Sequence, residues 1–186
     1  MPGITPPTPY NWNVGDVASS SLLNAQLYNG LTFLLNPPYF FGYQLSATAQ
    51  AIASSGGTFV TVVLDAELVD TEGGHSTTTN NSRYTCQIAG RYQVDGAVTF
   101  AATSTTGFRA AKFLLNGGST VVGSETMLAA SSFDTTARAS TDVYLNVGDY
   151  IELQCLQNSA ANPLNLTSNA ALDYATHMRV RWIAAT

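Results

Sequence analysis

IAGRYQVDGAVTFAATSTTGFRAAKFLLNG, residues 88–117, decides the fold class. From Gly90 the residues Tyr92, Val94, Gly96, Val98 and Phe100 fall on one side, and Gln93, Asp95, Ala97, Thr99 and Ala101 on the other. Alternation with a period of two over this length marks a β-strand with one buried face. A polar turn, Ser104 to Gly107, leads into a second apolar run, Phe108 to Leu115, closed by Asn-Gly-Gly. Two such runs joined by a glycine-containing turn predict an antiparallel hairpin.

The pattern continues outward. YFFGYQLSA from Tyr39 reads as a first strand, and SSGG at 54–57 as a turn. TFVTVVLDAELVD, Thr58 to Asp70, reads as one long β-branched strand. Further strands are expected at RYTCQI, Ser119 to Leu128, Ala137 to Asn146, YIELQCLQ, LNLTS and HMRVRWIAA, where Met178, Val180 and Trp182 share a face. About ten short strands with regular turn signals predict an all-β protein, an antiparallel sandwich or barrel. Residues 39–186 form this β domain, preceded by a short arm and helix at 1–38.

In that leader, a Pro-rich stretch (residues 1–11) reads as extended backbone. Ser19 to Ser21 can cap a helix, and Pro37-Pro38 stops it. Leu23, Leu27, Leu31 and Leu34 form a helical stripe, which must pack on the β domain, on symmetry mates or on another protein. Trp12 and Asp16, in the turn before the helix, either anchor a partner or pack locally.

Charged residues make up 10% of the chain, against about 25% in an average soluble protein, and the net charge is -5. All seven basic residues lie at Arg83 or later and none are clustered, so no nucleic-acid footprint is expected. No apolar run approaches the roughly 20 residues of a membrane helix, and no basic leader precedes one. Cys86 and Cys155 both sit in strand-like runs; buried thiols are the simpler reading, and a disulfide the alternative.

Asp70, Glu72 and His75 cluster in VDTEGGHS, which could hold a hard cation or perform acid–base work, but reads more economically as a turn that shapes a loop. GxSxG, GxGxxG and P-loop strings are absent. Neither enzymatic activity nor a cofactor is expected.

Three stretches carry a resemblance: GRYQVDGAVTF (Gly90 to Phe100), the strand from Arg109 to Gly117 ending LLNGG, and VYLNVGDYIELQC (Val143 to Cys155). Together they resemble the trimeric jelly roll of the complement-subcomponent and tumour-necrosis-factor superfamily. The Asp70-Thr71-Glu72-Gly73-Gly74-His75 loop, the leader with Trp12, Gly15, Asp16, Leu23 and Asn24, and the Pro-Pro pair look more narrowly like phage-encoded versions, especially those of actinobacterial phages. The resemblance implies a jelly roll in a homotrimer, with the leader as attachment piece and no calcium ligands carried over. It further implies a virion protein assembled in the host cytoplasm: a head-decoration or minor capsid protein bound to the major capsid protein or another virion protein. Alternatively, it implies a tail or fibre module recognising a host surface glycan or protein. On this reading Trp12, Asp16, Leu23, Leu27, Leu31 and Leu34 are attachment residues. Tyr92, Phe100, Tyr144 and Tyr150 belong to the core or the trimer seam, and Phe133 and Tyr174 are possible receptor-loop residues.

Overall fold

The computed structural model describes residues 6–45, 49–168 and 176–185. In chain order the elements are α1 (Ser20–Leu23), a π-helical stretch (Asn24–Asn29) and α2 (Gly30–Leu35), which run on without a break. The strands follow: β1 (Tyr39–Tyr43), β2 (Ala51–Ile52), β3 (Val60–Thr61), β4 (Ala66–Asp70), β5 (Arg83–Thr85), β6 (Gly90–Phe100), β7 (Phe108–Leu115), β8 (Val121–Leu128), β9 (Thr135–Leu145), β10 (Tyr150–Gln157), β11 (Leu164–Asn165) and β12 (His177–Ala184).

One five-stranded antiparallel sheet runs β4-β1-β12-β6-β9. The opposing sheet runs β3-β10-β7-β8, with β5 also paired to β10, and β2 and β11 make a small ribbon. This is an antiparallel jelly-roll sandwich. The alternating face of β6 lies in its core: Tyr92, Val94, Val98 and Phe100 meet Ala111, Phe113, Ile151 and Leu153 of the other sheet, all fully buried.

Two expectations about pairing are corrected. β6 and β7 do not form a hairpin; they lie in different sheets, β6 between β12 and β9, β7 between β8 and β10. The seven residues between them cross from one sheet to the other. Each end of the crossing is fastened to a loop: the Ala102 amide donates to Asp134, and the Phe108 amide to Asn158. Each strand buries its apolar face in the same core from its own sheet, so the two face one another across it. The β7–β8 connection is the hairpin, turned by Asn116 and Gly117 at positive φ of 53° and 61°.

Likewise, Thr58 to Asp70 is not one strand. It gives β3 to one sheet and β4 to the other, with Val62 and Leu64 buried where the chain crosses.

Cys86 and Cys155 are both free and buried. Burial raises both thiols, Cys155 to about 12, so neither supplies a reactive thiolate near neutral pH.

Candidate docking surface

From Met1 to Leu64 the only charged side chain is Asp16. It is occupied locally. Its carboxylate accepts from the Asn13 amide at 2.7 Å and the Tyr10 hydroxyl at 3.0 Å, and these bonds, the backbone one foremost, hold it below the ordinary carboxylate range. Asp16 therefore staples the turn, which Gly15 opens with a φ of 96°. Trp12 meets Tyr10 edge to face at 5.0 Å and remains 47% exposed.

Ser19 caps α1, its hydroxyl accepting from the Leu22 amide. Across the helix Gln26 holds the arm: its side chain accepts from the Tyr10 amide and donates to the Thr8 carbonyl, each at 3.0 Å. The Pro7 ring packs over Gly30. Prolines 6, 7 and 9, Phe33, Leu34 and Trp182 then enclose a groove of about 310 Å³.

The helix rests on the β domain through Phe33, its one fully buried residue, whose ring meets Trp182 of β12 edge to face at 4.7 Å. The half-buried side runs through Leu22, Ala25, Gln26, Asn29, Gly30 and Phe33. The leucine stripe is elsewhere. Leu23, Leu27, Leu31 and Leu34 are 37%, 55%, 56% and 70% exposed, with Tyr28 and Leu35 beside them. Of the three packing partners open to the stripe from sequence, its own β domain is not the one used.

Because Phe33 is the main hold, Phe33→Ala should free the helix from the sandwich. Truncating a buried Phe costs about 3–5 kcal/mol. In a Trp12→Phe background we expect a red shift of Trp182 emission and faster proteolysis before residue 39. An unchanged spectrum and cleavage rate would contradict this anchoring.

The other sequence candidates are dispersed. Tyr92 and Phe100 are fully buried core residues. Tyr150 is half-buried beneath the Arg83 guanidinium, 4.5 Å above its ring. Tyr144 is exposed on the outward face of the first sheet, and Phe133 is 73% exposed in the loop before β9. Tyr174 lies outside the described residues. In the Asp70–His75 loop the Asp70 carboxylate accepts from the Glu72 and His75 amides, and the buried His75 ring meets Glu67 at 2.7 Å. These bonds shape the loop, and no group of residues among those described is arranged to hold a metal.

Sequence reasoning missed the outward face of the first sheet. Register places Arg179 beside Asp95, Arg181 beside Gln93, Arg138 beside Ala97 and Arg91 beside Tyr144. Four of the seven basic residues thus share one face, and Arg179 and Arg181 lie over the Phe41 and Tyr39 rings. Arg179 and Arg181 alternate on one strand, but Arg91 and Arg138 are far from them along the chain, so only strand order reveals the cluster.

The sandwich can now be set beside known structures. The globular domain of zebrafish complement 1qA protein matches with a TM-score of 0.54 at 13% identity, over 80% of this chain and 99% of that one. The fold is the jelly roll of the complement and tumour-necrosis-factor type. Murine APRIL at pH 5.0 matches with a TM-score of 0.52 at 12% identity, covering 78% of this chain and 99% of that one. Eiger TNF from S. frugiperda gives 0.55 at 9% identity, covering 80% and 94%. No protein-family model matches the sequence, and no curated protein does. At these identities the likeness describes the fold alone.

Proposed function

We propose that this chain is a homotrimeric structural protein of a tailed-phage particle, a head-decoration or minor capsid protein attached through residues 1–38 and acting by binding rather than catalysis. The observation that carries the reading is the outward leucine stripe on a leader whose single charge is already spent. Exposed apolar patches of this kind, rimmed by polar residues, mark interaction surfaces. The particle is favoured as partner by the leader pattern and the Asp70–His75 loop, which resemble phage-encoded proteins. Three copies about an axis would present three stripes at once, so a modest contact in each copy multiplies into firm attachment. Contacts between copies fit the outward face of the first sheet, where Tyr144 is exposed and four arginines alternate with Asp95 and Asp142.

Sedimentation with particles stripped of this protein tests the reading. The purified chain should pellet with them, and a chain that stays in the supernatant at roughly micromolar concentration contradicts it.

A further inference from the structure

Beside the Asp70–His75 loop lies a recess of about 240 Å³, whose lining includes Gly73, Thr79, Asn80, Arg83, Thr85 and Gln87. None of its lining residues belongs to the leader. The floor is built closely. The Thr85 amide donates to the Gly74 carbonyl at 2.7 Å, and a side chain at Gly74 would strike Tyr84 and the Thr85 carbonyl.

The recess has one fixed charge. Arg83 lies over Tyr150, its guanidinium carbon 4.5 Å from the ring centre, which holds the charge in place. Yet it makes no ion pair; among the described residues the only one joins His75 and Glu67. Three nearby carboxylates are engaged: Glu67 by His75, Asp70 by two backbone amides, and Glu152, opposite Arg83 across the strand pair, by the Ser82 hydroxyl at 2.8 Å; Glu72 precedes Gly73 but does not line the recess. No carboxylate lines the recess. A guanidinium held over a ring, with unspent donors, suits the fork of a carboxylate. Around it stand hydroxyls and amides that can donate or accept, from Thr79, Thr85, Asn80 and Gln87. Pockets for drug-sized ligands run from about 300 to 1,000 Å³; this one has room for a single ring.

We infer that the recess binds one sugar unit bearing a carboxylate, a uronic acid, with the carboxylate on Arg83 and ring hydroxyls on Thr79, Asn80, Thr85 and Gln87. The site reads a saccharide surface independently of particle attachment, and the two fail separately: attachment is measured by sedimentation, this site by ligand titration.

The test titrates the isotope-labelled full chain with glucuronic acid, glucose and acetate, following backbone amide resonances. Glucuronic acid should shift Gly73, Thr85 and Gln87 saturably, with glucose and acetate each about tenfold weaker or worse. Arg83→Gln should weaken glucuronic acid by about tenfold or more. Equal response to glucose removes the carboxylate from the argument, and equal response to acetate removes the sugar. Either result, unshifted recess amides, or a folded Arg83→Gln that binds as well as the parent overturns the proposal. The three-ligand comparison on the unaltered chain decides even if Arg83→Gln fails to fold.

Discussion

Leu27→Asp combined with Leu31→Asp should abolish particle attachment while leaving the jelly roll as stable as before. Both leucines are more than half exposed, so the free protein loses little packing, and the exchange costs only about 0.5 kcal/mol of helix propensity per site. In the docked state each leucine would be buried, contributing about 1.5–3 kcal/mol, and each aspartate would carry an unpaired charge into the contact. Two positions in each of three copies make the loss in apparent affinity larger than about a hundredfold. Sedimentation measures attachment, and thermal unfolding checks the fold. Unimpaired pelleting with an unchanged melting temperature would remove the stripe from the interface.

Phe113→Ala should have the largest effect on stability. The ring is fully buried at the centre of the sandwich beside Leu153, and both point at Gly96 of the facing sheet. Truncation should cost about 3–5 kcal/mol out of the 5–15 kcal/mol typical of a domain, lowering the melting temperature by roughly 6–20 °C. Gly96 supplies an internal check. A methyl group there would lie 2.8 Å from the Phe113 ring tip and from a Leu153 methyl, so Gly96→Ala alone should destabilise. In the Phe113→Ala chain the clash with the ring is gone and Leu153 can yield into the vacated space, so Gly96→Ala should cost less there than it does alone. The two changes are therefore coupled. Additive losses would mean that Phe113 and Gly96 do not meet as described.

Gly96 also shows how far the sequence could be read. Its place in the Tyr92–Phe100 alternation was visible, because a strand with one buried face writes its period into neighbouring residues. Strand partnership was not. Phe100 and Phe108 are joined by seven residues, which suits a hairpin, yet the strands separate into two sheets because each finds its partners far along the chain. The split of Thr58 to Asp70 has the same origin: β-branched residues continue through the crossing, where Val62 and Leu64 are as buried as any strand residue. In the leader the leucine stripe was legible, but not which side of the helix faces the domain. That depends on Trp182, some 150 residues away, and on the arm held by Gln26. The recess at Arg83 left no motif: its residues all lie within 73–87, but their spacing names no ligand, and the side to which β5 turns Arg83 and Thr85 shows only in the fold.

The central claim is a trimer that leaves its leader free for docking. Light scattering on a sizing column, applied to the unaltered chain and to the Leu27→Asp/Leu31→Asp chain, tests it most directly. The account predicts about three times the 19.6 kDa chain mass for both. A single-chain mass for both would contradict the trimer, and a trimer lost only with the two leucines would make the helix an oligomerisation element instead of an attachment surface.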